Sequence, residues 1–175
     1  LDPRVGVYWT GEEICTHEYS PGHLVRVADA LRRKPILWDN YPVNDDHPTM
    51  HLGPVIARDQ DVCEVVDGYM CNPMRKQNRL NRVPLLTCAD YAYNPAAYDP
   101  ARSIGQAILH LSENDRQRGV LRDLVEAYPG MLLFKAGTNY NPVRAQYRRL
   151  AGTPHSRYIV ELYVKHLDEL SARMG

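Results

Sequence analysis

Three blocks of this sequence set amide, hydroxyl or carboxylate groups beside an aromatic ring or a proline: Trp9-Thr10-Gly11, Trp38-Asp39-Asn40-Tyr41-Pro42-Val43-Asn44-Asp45 and Asn72-Pro73-Met74. Amides and carboxylates engage paired hydroxyls, and an aromatic face covers the apolar C–H side of a pyranose, so the set has the chemistry of a carbohydrate site. Residue type alone does not make it unique, because aromatic-rich strand ends also occur in plain cores and nucleotide sites. Trp9 and Trp38 could instead fill a core, since tryptophan buries much apolar area. Asn40 and Asn72 could cap turns, Asn72 lying directly before Pro73. Thr10 could be a turn hydroxyl.

Other chemistry-bearing residues point to blander roles. His47 and His51 are four apart, but Pro48 between them breaks the helix that would present both to a metal, and no metal site is expected. Cys15, Cys63, Cys71 and Cys88 include no Cys-x-x-Cys and read as free, mostly buried thiols. Arg75, Lys76, Arg79 and Arg82 lack interleaved aromatic platforms, so a solvated helix face fits better than a nucleic-acid patch. Lys plus Arg and Asp plus Glu each count 21, so no net field favours nucleic acid or anionic lipid. Tyr128, Tyr140 and Tyr147 are expected to pack a helical core.

The elements that must position the three blocks alternate in type. Val5-Gly6-Val7-Tyr8-Trp9 reads as a buried strand. A helix follows from Ser20, with Pro21 in its first turn and Leu24, Val27, Ala28 and Leu31 on one face. Pro35-Ile36-Leu37-Trp38 is the next strand. The apolar cluster Val62, Val65 and Val66 leads to a third strand, Gly68-Tyr69-Met70-Cys71. Strands alternating with helical stretches signal a parallel α/β sheet, whose ligands sit at the C-terminal strand ends, where the three blocks lie.

Beyond Pro73 the pattern becomes helical, with helices expected at 84–93, about 101–111, 113–127, 142–151 and 155–172. Ser112 and Asp115 resemble a capping box, and Ile159, Leu162, Tyr163, His166, Leu167 and Leu170 form a helical stripe. At 175 residues and 44% hydrophobic content the chain can build a real core. Its apolar runs fall short of the roughly 20 residues that a membrane helix needs. It begins Leu1-Asp2-Pro3, which looks like a processing or chain-break boundary, and no compartment can be read from it.

Four blocks in order, Tyr8-Trp9-Thr10-Gly11, Leu37 to Asp45, Leu52-Gly53-Pro54 and Asn72-Pro73-Met74, followed by Ala89-Asp90-Tyr91-Ala92-Tyr93-Asn94-Pro95, resemble glycoside hydrolase family 84. That family contains O-GlcNAcases and hyaluronidase-like β-N-acetylglucosaminidases. The resemblance covers about residues 5–100. It implies an α/β fold: the C-terminal portion of a (β/α)8 TIM barrel, its last three strands, over residues 1–98, then an α-helical domain over 99–175. It further implies that Asp45 accepts hydrogen bonds from the sugar O4 and O6 hydroxyls and that Asn72 holds the O3 side. By the same likeness Asn40 orients the acetamido region, Trp38 walls the pocket and Thr10 sits on its rim.

The family hydrolyses by substrate assistance, the 2-acetamido oxygen attacking the anomeric carbon while an adjacent aspartate pair polarises that group and moves protons. In the family the pair ends the fourth strand, before the region present here, so no catalytic residue is expected in this chain. Asp45-Asp46 is the chain's only Asp-Asp, but its block matches the sugar-hydroxyl position, and Asp46 is expected to be a solvated loop acid. The expected partners are a GlcNAc-containing glycoside or glycoprotein and the missing N-terminal barrel half, in the same or a separate polypeptide. No cofactor is expected. The alternative is a non-catalytic carbohydrate-binding or interaction module derived from such an enzyme.

Overall fold

A computed structural model describes residue 2 and residues 4–45, 50–75 and 80–130. The helices expected at 142–151 and 155–172, the stripe within them, and Asp46, His47, Lys76, Arg79, Tyr140 and Tyr147 lie outside the described residues. Strands β1 (Tyr8–Trp9), β2 (Ile36–Pro42) and β3 (Gly68–Asn72) form one parallel sheet in the order β1-β2-β3. Helix α1 (Pro21–Leu31) joins the first two strands, and the short α2 (Val62–Val65) precedes the third. Helices α3 (Arg82–Tyr93), α4 (Pro100–Leu111) and α5 (Asp115–Ala127) follow, with a 3-10 turn at Pro95–Ala97. The described chain is therefore α/β with three parallel strands.

Strand limits follow from pairing. Pro35 has no N–H for the ladder, so β2 begins at Ile36, which lies opposite Tyr8. The first strand is accordingly shorter than its apolar run, and Val5 stays 47% exposed. At its other end β2 runs past the expected Trp38 to Pro42. Asp39 lies opposite Cys71, yet the next matched pair is Pro42 with Asn72, so Asn40 and Tyr41 form a bulge. A bulge re-aims side chains at a strand end, here the end that carries the candidate site. The Tyr41–Pro42 peptide is cis.

The sheet has two unlike faces because successive side chains alternate. On one face, Leu37, Asp39 and Tyr41 are buried. Tyr19, Leu24, Leu37 and Val62 form one cluster there, with Trp9 packed against it. Trp9 is thus partly buried against the core. On the other face, Tyr8 is 50% and Met70 40% exposed, while Ile36 and Trp38 are half-buried.

Side-chain caps are found at the starts of α4 and α5 but not of α1, α2 or α3. α1 starts at Pro21 after an extended Ser20, whose hydroxyl makes no cap hydrogen bond. Asp99 caps α4 by accepting from the Arg102 N–H at 2.7 Å. The cap of α5 is Asn114, which accepts from the Gln117 N–H at 3.0 Å, while Gln117 Oε1 accepts from the Glu113 N–H at 2.7 Å. The expected Ser112 cap is corrected: its hydroxyl donates back to the Ile108 carbonyl at 2.7 Å. Asn114 wins because its short amide reaches the first turn of α5 directly.

The largest core cluster joins Met50, Leu52, Met74 and Leu80 to Val83, Ile108, Val120, Leu121, Leu124 and Tyr128. Helix α5 ends against the loop after β2, where the Leu52 N–H donates to the Tyr128 carbonyl at 2.9 Å. Gly53 leaves no room there, since a Cβ would lie 1.8 Å from the Pro129 oxygen. Gly130, at φ 108°, packs beside the Tyr41 hydroxyl, which donates to the Gly53 carbonyl at 2.7 Å. All four cysteines are free. Only Cys88 is buried, so the expectation of mostly buried thiols is corrected: Cys63 lies on the outer side of the short α2 and is exposed, and Cys15 and Cys71 are intermediate.

Candidate functional site

The tips of β2 and β3 meet at one amide. Asn40 Oδ1 accepts from Trp38 Nε1 at 2.9 Å and from Asn72 Nδ2 at 2.9 Å. Asn40 Nδ2 donates to the Ile14 carbonyl, in the loop after β1, at 2.6 Å. Elements β1, β2 and β3 are thereby tied together at their C-terminal ends. The bulge makes this possible, because it turns Asn40 toward Asn72 instead of leaving it in ladder register. Asn40 is buried at 9% exposure, so its amide needs these partners.

The indole of Trp38 stands beside this cluster, with the Tyr8 ring edge-on at 5.6 Å and 86°. It is half-buried on the more open sheet face. Asp45 is exposed in the loop beyond β2. Its neighbour Asn44 accepts from the Arg75 N–H at 3.0 Å, which ties the β2 loop to the β3 loop one residue before the carboxylate. Thr10 follows β1, and its carbonyl accepts from the Tyr19 hydroxyl at 2.5 Å. Hydrogen bonds therefore join Trp38, Asn40 and Asn72 directly. Thr10 and Asp45 reach the same strand ends through their loops, with no side-chain hydrogen bond to that trio among the described residues.

Sequence reading did not single out what lies behind the trio. Asp39, between Trp38 and Asn40, points to the opposite face, where Arg58 Nε and Nη2 donate to its two oxygens at 2.9 and 2.7 Å. The Tyr69 hydroxyl donates to Asp39 Oδ2 at 2.8 Å. Burial alone would depress the Arg58 pKa, but the hydrogen bonds and charge of Asp39 outweigh it and hold the guanidinium above its usual value. Burial likewise raises the Tyr69 phenol, and the charge of Asp39 adds to that. A carboxylate inside an apolar strand signals a buried partner. No spacing rule identifies Arg58, 19 residues away, as that partner.

A second pair sits close by. Cys71 precedes Asn72, and its interaction with Cys88 of α3 lowers the Cys71 pKa and raises that of Cys88. His51 is buried, and among the described residues no group of three or more His, Cys, Asp or Glu could hold a metal ion. No described helix is long and apolar enough to cross a membrane. A cleft of about 380 Å³ lined by Arg58, Asp59, Asp61, Tyr98 and neighbours contains none of the five candidate sugar residues.

Comparison with known proteins places the chain in a family. Two solved structures share the fold. An O-GlcNAc hydrolase variant from Thermobaculum terrenum superposes with a TM-score of 0.69 at 27% identity, covering 96% of this chain and 37% of that one. CpGH84B superposes with a TM-score of 0.70 at 22% identity, covering 95% of this chain and 34% of that one. The protein O-GlcNAcases of Rattus norvegicus and Mus musculus are each 31% identical over 74 residues, which is 42% of this chain and 8% of theirs. The chain thus matches only a small part of the length of these curated relatives. The family model for β-N-acetylglucosaminidase (NAGidase) matches residues 1–126. The chain therefore belongs to the β-N-acetylglucosaminidase family, of the glycoside hydrolase family 84 type.

Proposed function

We propose that this chain forms the sugar-gripping part of a retaining β-N-acetylglucosaminidase that removes O-GlcNAc by substrate assistance through the 2-acetamido group. The observation that carries the reading is the shared amide of Asn40, which gathers Trp38 and Asn72 at the C-terminal ends of adjacent parallel strands. In this reading Asp45 accepts hydrogen bonds from O4 and O6, and Asn72 holds the O3 side. Asn40 orients the acetamido region, Trp38 walls the pocket and Thr10 forms its rim. The acid pair lies outside this chain, so the chain alone is inactive.

The sheet belongs, in the same reading, to a (β/α)8 barrel of which β1, β2 and β3 are the last three strands, with the helical domain from residue 99. Such barrels take about 250 residues and enclose a layered interior. The partly exposed face with Tyr8, Ile36, Trp38 and Met70 supports this, because it has the apolar character of a barrel interior. The remaining strands come from the N-terminal barrel half, in the same or another polypeptide. The substrate is a GlcNAc-containing glycoside or glycoprotein.

The test is hydrolysis of 4-nitrophenyl N-acetyl-β-D-glucosaminide by the intact protein that contains this segment. Turnover is expected, and Asp45→Ala should lower kcat/KM by on the order of 100-fold through lost hydroxyl contacts. An intact protein that binds GlcNAc without turnover would instead be the non-catalytic module. Absence of both binding and turnover would end the carbohydrate reading.

A further inference from the structure

We propose that Arg58 is a positioning residue for the sugar site: from the closed face of the sheet it fixes the loop after β1, and through that loop the orientation of the Asn40 amide. The inference rests on the carbohydrate reading above and deepens it. Arg58 is 2% exposed in its side chain, and each of its five N–H groups has an acceptor. Two serve Asp39, as described. Nη1 donates to the carbonyls of His17 and Ile56 at 2.7 and 2.9 Å, and Nη2 also donates to that of Thr16 at 3.4 Å. The guanidinium lies 4.7 Å from the centre of the Tyr19 ring.

These contacts bind three segments that are far apart in sequence. The Tyr19 N–H donates to the Ala57 carbonyl at 3.0 Å, and the Asp59 N–H donates to the Tyr19 carbonyl at 3.2 Å. With the Tyr19 hydroxyl on the Thr10 carbonyl, the loop after β1 is held at Thr10, Thr16, His17 and Tyr19. Ile14 lies between those points. Ile14 is 73% exposed and gives the loop little apolar anchorage. The Ile14 carbonyl nevertheless sits where Asn40 Nδ2 must point.

The Trp38 indole N–H can only donate, so it sets which end of the Asn40 amide is oxygen, and the Ile14 carbonyl supplies the acceptor that holds the nitrogen end. With Nδ2 on Ile14, Oδ1 is left to receive the N–H groups of Trp38 and Asn72. Loosening the loop removes the acceptor that anchors the nitrogen end. Asn40 can then rotate, and Trp38 and Asn72 lose their common acceptor. Lysine cannot replace this arrangement, because its three N–H groups do not form a planar fork.

The experiment uses the intact protein in four variants: Arg58→Lys, the apolar pair Asp39→Leu with Arg58→Met, Asn40→Ala, and Asn40→Ala combined with that pair. Exchanging a buried ion pair for apolar groups of similar volume is often neutral for stability, so the paired variant should remain folded. Should it fail to fold, Arg58→Lys carries the test. Amide hydrogen exchange over residues 11–18 should quicken by about tenfold or more while residues 36–38 stay protected. Hydrolysis should fall by about tenfold in kcat/KM, and the paired change should cost little more once Asn40→Ala is in place, because both act through one coupled unit.

Unchanged exchange over residues 11–18 would overturn the proposal. So would faster exchange with wild-type kcat/KM, or losses that simply multiply with that of Asn40→Ala. An intact wild type without sugar binding or turnover would sink the carbohydrate reading instead, and the exchange measurement alone would then decide whether Arg58 holds the loop.

Discussion

The two faces of the small sheet are built from the same strands, yet they differ in what satisfies them. The closed face surrounds a buried carboxylate with an arginine and a tyrosine hydroxyl, and packs Leu37 and Tyr41 beside it. The other leaves Tyr8 and Met70 partly in solvent and ends in the amide cluster. Stability is therefore concentrated on one side and the proposed recognition site on the other. β2 connects them, because Asp39 and Asn40 are consecutive and face opposite ways.

The largest effect should come from leaving the more open face without the proposed N-terminal barrel half. Residues 1–175 expressed alone are expected to self-associate through that face and through β1 and β3, the edge strands among the described residues. Size-exclusion chromatography would show oligomers, and a monomer that melts cooperatively would break the comparison. On the closed face, Asp39→Ala in the intact protein should cost about 3–5 kcal/mol in denaturant unfolding, because it leaves Arg58 buried and unpaired. Asn40→Ala should cost less in stability, about 1–3 kcal/mol, while lowering kcat/KM by on the order of 100-fold. A variant in which stability fell and activity did not would erase the distinction between the faces.

Alkaline titration sharpens the same contrast. Burial first, and the Asp39 charge second or lower among the causes, raise the phenols of Tyr19, Tyr41, Tyr69 and Tyr91. Burial also raises Tyr98. Their folded pKa values exceed the unfolded value of about 10, so the stability they contribute is complete below that pH and is lost as pH rises above it. Phenolate absorbance should show these groups ionising with unfolding, not before it. The smallest effect belongs to the helices: Asn114→Ala should cost about 1 kcal/mol through the lost cap, read as a lower Tm with unchanged activity.

Much of this was legible in the sequence. Pro21 marks the start of α1, and Pro35 sets where β2 can begin. The motif blocks led to Trp38, Asn40 and Asn72, which hydrogen bonds do bring together. The length of β2 was not legible, because Asp39 and Asn40 are poor strand formers whose conformation depends on tertiary partners. Arg58 was invisible for the same reason: its partners in the loop after β1 are backbone carbonyls, which carry no residue signature. The cap of α5 was misplaced by two positions, since Ser112 and Asn114 are both plausible from residue type and only the backbone geometry separates them.

The fit of Gly53 against Pro129 has a consequence for how this molecule tolerates change. A helix that docks by side chains can slide as those side chains are exchanged, whereas here main chain touches main chain and nothing can be trimmed or enlarged to accommodate a shift. The outer surfaces of α4 and α5 are free to diversify, but the last turn of α5 must return to the same point beside Tyr41. That junction hands on position without regard to chemistry, so sequence drift in the helices reaches the strand tips only if it moves the whole helix.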